Sequence, residues 1–92
     1  MESLEENQTY IWTETVPEGT MKTRFTVKED NTWPFRLEGR PEPHYMCEIL
    51  KVTVDGQDKT EKYIDKAFDG EKTRGIPAHR IPEMDIEEAD NQ

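Results

Sequence analysis

The clearest alternation in the chain spans residues 20–28. Met21, Thr23, Phe25 and Val27 fall on one side, and Lys22, Arg24, Thr26 and Lys28 on the other. A period of two with one polar side predicts a half-buried antiparallel strand. Residues 8–16 are rich in aromatic and β-branched types and predict a second strand. Both of its sides are mixed, with Tyr10, Trp12, Glu14 and Val16 opposed to Ile11, Thr13 and Thr15, so an edge or surface-lying strand is expected. Pro17-Glu18-Gly19 ends it in a turn. Glu29-Asp30-Asn31 reads as a further turn, and 32–37 alternate again through Trp33, Phe35 and Leu37. Residues 20–37 are therefore expected to form a β-hairpin, whose second arm is bulged or at an edge because Pro34 lacks an N–H.

The densest apolar stretch is 45–68. Met46, Leu50, Val52 and Val54 share one side of a long strand, interrupted by Glu48, and Tyr45, Cys47, Ile49, Lys51 and Thr53 share the other. Apolar residues on both sides suggest a central strand. Asp55-Gly56 is a tight-turn pair. Asp58 with Glu61 resembles a capping box, and Tyr63, Ile64, Ala67 and Phe68 follow at helical spacing, with Gly70 placed to end the helix. A helix of about three turns cannot stand alone, so its stripe is expected to cover the sheet. Residues 75–82 read as an extended arm anchored by Ile76 and Ile81, and the last ten as a disordered acidic tail.

Composition changes this picture in one respect. Leu, Ile, Val and Phe number 16 of 92, below the roughly 20% that warns of disorder, but ten of them lie between Thr20 and Phe68. A single small domain is expected, with a folded body over about 8–82 and flexible acidic ends at 1–7 and 83–92. The net charge of −9 is divided unevenly: −5 over residues 1–19, +1 over 20–82 and −5 over 83–92. Nucleic-acid affinity rests on Lys and Arg at phosphates, so direct nucleic-acid binding is disfavoured. Nothing approaches a membrane span, and the acidic N-terminus is unlike a signal peptide. A single cysteine, Cys47, suits a reducing, cytoplasmic compartment.

Little reactive chemistry is on offer. Ser3 is the only serine, which argues against a serine triad. Cys47 reads as a small buried hydrophobe. His44, Cys47 and His79 lack the paired spacing of a metal site. The segment 70–75, GEKTRG, lacks the glycine that a phosphate loop needs, and 65–76 fails as a calcium loop at Ala67 and Ile76. No catalytic residue, cofactor or metal is assigned.

The expected fold is α+β: a small antiparallel sheet of about four strands, in β-β-β-β-α order, covered by one short helix in the C-terminal half and carrying acidic termini. A small SH3- or OB-like β-barrel with one helix is the alternative. In size and charge, though in no motif, the chain resembles small acidic single-domain inhibitors of the kind phages direct against host enzymes. That resemblance implies a non-enzymatic protein-binding inhibitor or regulator, acting in the host cytoplasm on a nucleic-acid-processing or defence enzyme as a nucleic-acid mimic. Its expected contact residues are Glu2, Glu5, Glu6, Glu83, Asp85, Glu87, Glu88 and Asp90, and its expected partner is a protein with a basic surface. A nucleic-acid- or nucleotide-binding face formed by Lys22, Arg24, Lys28 and Trp12 is the alternative, as is an accessory subunit or homodimer.

Overall fold

The computed structural model describes residues 3–31, 44–66 and 70–89. Six strands form one antiparallel sheet: β1 (Thr9–Val16), β2 (Gly19–Asn31), β3 (His44–Val54), β4 (Gln57–Asp58), β5 (Thr73–Pro77) and β6 (Asp85–Glu88). Their order is β4-β3-β2-β1-β6, with β5 also on β3. One short helix, α1 (Thr60–Lys66), and a 3-10 helix at Ala78–Glu83 complete the described chain. This corrects the expected four-stranded sheet beneath a covering helix, and equally the barrel, because no ladder joins β6 to β4 or β5 among the described residues.

β2 is the strand the alternation predicts, and Met21, Thr23, Phe25 and Val27 are all buried. It extends further than expected. Glu29, Asp30 and Asn31 do not turn but continue the ladder opposite Met46, Tyr45 and His44. The arm expected at 32–37 lies outside the described residues. β1 is not an edge, since β2 and β6 flank it.

β3 departs most from a simple alternation. Tyr45, Cys47 and Ile49 are buried, then Leu50 and Lys51 are both exposed, then Val52 and Val54 are buried. The register explains this: Arg24 faces Lys51 and Phe25 faces Ile49, so Leu50 is an extra, unpaired residue. Such a bulge reverses the parity of every later side chain. A second shift between Val27 and Glu29 leaves Lys28 extra on β2 and restores the register. The apolar residues assigned to two sides of β3 thus share one inner face.

One side chain and one backbone carbonyl join the pieces along the other border of β3. The Val52 N–H donates to Thr60 Oγ1 at 3.0 Å, and the Ile49 N–H to the Lys72 carbonyl at 2.6 Å. These bonds fill the gap between β4 and β5. Thr60 itself donates to Asp58 Oδ1 at 2.6 Å, and Asp58 also accepts the Thr60 N–H at 3.0 Å, as a residue starting a helix should. At the turn before β4, Asp55 has φ 52° and Gly56 φ 86°, the left-handed pair that a two-residue hairpin requires. The Asp55 carboxylate accepts the Thr20 N–H at 3.0 Å and occupies the space a Cβ on Gly19 would need. Gly19, at φ 142°, is thereby required by its neighbour as well as by its own backbone.

The inner face is closed by the C-terminal half. β5 lies on β3 and β6 on β1, yet only the 3-10 helix and Met84 connect them. A flat sheet would separate these strands by four spacings of about 4.8 Å, whereas six residues of 3-10 helix rise about 12 Å. The sheet must therefore curl. Accordingly Trp12 of β1 lines a common cleft with Arg74, Gly75 and Ile76 of β5. The 3-10 helix crosses with Ile81 fully buried, and Ile76 is buried beside it. Both isoleucines anchor the chain as the sequence suggests, but through a strand and a helix instead of an extended arm.

Two outcomes test this packing. Deleting Leu50 should leave the protein folded, because Ile49, Lys51, Val52, Thr53 and Val54 would then alternate regularly with Val52 and Val54 still inward, and Leu50→Ser at a site 43% exposed should change stability by about 0.5 kcal/mol or less in denaturant titrations. Thr23, 1% exposed, has a hydroxyl with no partner among the described residues. Thr23→Val should therefore raise unfolding stability by about 1 kcal/mol.

Candidate partner-binding edge

The two acidic ends meet. β6 pairs with β1, with Tyr10 facing Glu88, Ile11 facing Glu87, Trp12 facing Ile86 and Thr13 facing Asp85. The N-terminal segment reaches the same corner. Its Leu4 N–H donates to the Tyr45 hydroxyl at 3.1 Å, and its Glu5 N–H to the Tyr10 hydroxyl at 2.9 Å. Leu4 is buried at 3% exposure. Tyr10, stacked at 5.9 Å on Phe25, is held by the core on one side and holds the N-terminal segment on the other. Within the two acidic ends, residues 4 and 5 thus hydrogen-bond to core tyrosines and residues 85–88 pair with β1.

Tyr10 senses this convergence. Burial raises its pKa, the Glu5 N–H opposes that rise, and the charges of Glu5 and Glu88 add to it. Of the expected contact residues, Glu5 and Glu88 meet at Tyr10, Asp85 and Glu87 lie on the other face of the same strand, and Glu83 precedes them at the end of the 3-10 helix. Glu6 is committed elsewhere, its carboxylate accepting the Asp30 N–H at 2.9 Å. Glu2 and Asp90 lie outside the described residues.

Residues opposite one another in a ladder share a face. On the outer face, one row therefore reads Glu87, Ile11, Arg24, Lys51 and the next Asp85, Thr13, Lys22, Thr53. The basic and acidic groups that the sequence offers as alternatives are neighbours on one surface. Arg24, Lys22 and Lys51 line a shallow depression with Ile11 and Thr53. The acids stand two strands, about 10 Å, from Lys22 and Arg24 and three strands, about 14 Å, from Lys51, against a screening length of about 8–10 Å at ordinary salt. Trp12 does not join the basic row. It faces Thr23 and Ile86 on the inner side, while Lys28 pairs with Glu48 at 3.6 Å. The stacking-plus-cation platform of Lys22, Arg24, Lys28 and Trp12 is therefore not assembled.

Among the described residues β6 has one neighbour, β1, and β1 carries no Lys or Arg, so that strand sets no base opposite its acids. That absence of compensation could not be read from the chain order. On the inner side, by contrast, Glu14 is raised in pKa by burial, and the cations of Arg74 and Arg80 pull it back.

The remaining candidates offer no reactive centre. The Cys47 thiol is fully buried, and burial pushes its pKa up to about 12, so it is protonated and inert at neutral pH. His44 is on β3 and His79 is exposed on the 3-10 helix. Among the described residues, no group of three His, Cys, Asp or Glu could hold a metal ion, and no helix is long and apolar enough to cross a membrane.

Tyr10→Phe removes the acceptor for Glu5 and should lower stability by about 1–2 kcal/mol in urea unfolding at neutral pH. The Tyr10 pKa is raised on folding, so the stability tied to its protonated form is fully present below pH 10 and is lost as pH rises through the higher folded value. The gap between wild type and Tyr10→Phe should therefore narrow in that alkaline range.

No protein-family model, curated protein or solved structure matches the chain.

Proposed function

We propose that the protein is a non-enzymatic, protein-binding regulator that docks the acidic β6 edge on a basic surface of another protein. The observation that carries this reading is that Asp85, Glu87 and Glu88 of β6 meet no base on β1, the one strand paired with β6 among the described residues, while Glu5 joins Glu88 beside Tyr10. Uncompensated charge at a sheet edge steers association with an oppositely charged surface and selects against like-charged ones. Where the partner's basic surface is a nucleic-acid groove, occupying it makes the protein an inhibitor. An inert thiol and the lack of an assembled nucleophile favour binding over catalysis, and a lone buried cysteine suits the cytoplasm.

Nucleic-acid binding by the outer basic row is the weaker reading. A phosphate backbone crossing Lys22, Arg24 and Lys51 would lie, at Lys22 and Arg24, within about a screening length of Asp85 and Glu87.

Affinity capture with three baits separates these readings: wild type, an acid-neutralised variant (Asp85→Asn, Glu87→Gln, Glu88→Gln) and a base-neutralised variant (Lys22→Gln, Arg24→Gln, Lys51→Gln). Salt-sensitive partners should persist on the base-neutralised bait and disappear from the acid-neutralised one. Capture of the same proteins by both variants would sink the proposal. Oligonucleotide binding by wild type at low salt, abolished in the base-neutralised bait, would replace it with the second reading.

A further inference from the structure

The sheet has two borders, and they are built differently. On the β3 side, β4 is two residues long, β5 ends in Pro77, and Thr60 and Lys72 close the gap between them. Short pieces and a proline blunt a border against further pairing. The β6 border is four residues without proline and, among the described residues, is paired on one side only.

Its backbone directions follow from one bond. The Ala89 N–H donates to the Thr9 carbonyl at 3.0 Å, which makes those two a hydrogen-bonded pair. Antiparallel alternation then turns Glu87 and Asp85 toward β1, and turns Ile86 and Glu88 away from it. The Ile86 N–H bends back to the Met84 carbonyl at 3.1 Å. What faces outward is the Ile86 carbonyl and both the N–H and the carbonyl of Glu88.

We infer that this edge takes up an extended segment of a protein partner as a seventh strand, and that the segment carries Lys or Arg at alternate positions with apolar residues between. The inference rests on the acidic-edge reading above and states how that edge is used. In an added strand, residues opposite Asp85 and Glu87 share the outer face, where cations complete opposite-charge pairs. The residue between them lies on the side of buried Ile86 and is served by an apolar side chain. A second copy of the chain is a poor occupant, because it would set acid against acid.

The probe is a short peptide alternating Lys and Val, compared with the same peptide N-methylated at alternate backbone positions. The protein is used as the full chain in three forms: wild type, Glu88→Gln and Glu88→Pro. The two variants lose the same charge, but only Glu88→Pro loses the outward N–H, and its N–H does not serve the β1 ladder. The unmodified peptide should bind wild type, with amide shifts at 86–89. It should bind Glu88→Pro roughly ten-fold or more weakly than Glu88→Gln, and N-methylation should weaken it on wild type by a similar factor. Circular dichroism checks that Glu88→Pro folds, and if it does not, the methylated peptide decides alone. Equal binding by both peptides would overturn strand addition while leaving charge-driven docking of the acidic edge in place. No binding of the unmodified peptide at low salt would overturn strand addition outright. Failure of the broader reading shows separately, as capture that ignores neutralisation of the acids.

Discussion

The sheet has a single buried face because β3 bulges at Leu50. Were all eleven residues of β3 to alternate regularly, Tyr45, Cys47 and Ile49 would lie opposite in sense to Val52 and Val54, and the strand would need a core on both sides. A chain of this size cannot build two cores. With the bulge, five buried residues of β3 meet four of β2, and everything else attaches to that surface. The compensating irregularity at Lys28 returns the strands to register, so Asp30 and Tyr45 still pair at the far end. There Glu6 binds the Asp30 N–H and Tyr45 binds the Leu4 N–H. The position of the N-terminal segment thus depends on a residue more than forty positions away.

The curl of the sheet follows from how short its last connection is. A 3-10 helix with Pro82 inside it is a stiff spacer, and it draws β6 toward β5 across the inner face. Ile81 fills the space beneath it. The cleft that Trp12 shares with Arg74, Arg80 and Met84 marks where the two halves of the curled sheet approach. Acids gather on the opposite rim for the same reason: once β6 is delivered to β1, Glu88 has nowhere to lie except beside Tyr10 and the N-terminal segment.

How much of this was legible depends on whether a feature announces itself locally. The inner side of β2, the Asp55-Gly56 turn and the anchors Ile76 and Ile81 could all be read, because periodicity, turn chemistry and isolated apolar residues are local signals. The bulge could not, since Leu50 is ordinary in type and its exposure exists only relative to β2. β6 has four residues with one apolar member, too few for any period to show, and its acids made it resemble a tail. Glu29-Asp30-Asn31 has turn composition but was overruled by pairing with β3. At the site, the sequence shows which residues are acids and which are bases. Their arrangement was not, because only the register of β1 on β2 puts Trp12 and Arg24 on opposite faces.

β6 closes the sheet from the far end of the chain, more than seventy residues after the strand it covers. Such a pairing carries the largest loop-closure penalty in the molecule and is among the last to form as the protein folds. Until it does, β1 exposes a bare border carrying Ile11 and Trp12 and no cation, the kind of strand that recruits other chains indiscriminately. When β6 arrives it replaces that border with one bearing three carboxylates. The acidic edge is therefore a guard, whatever contact the proposed role adds to it. It appears only on finished molecules, so a partner that reads it is also reading whether the protein has folded.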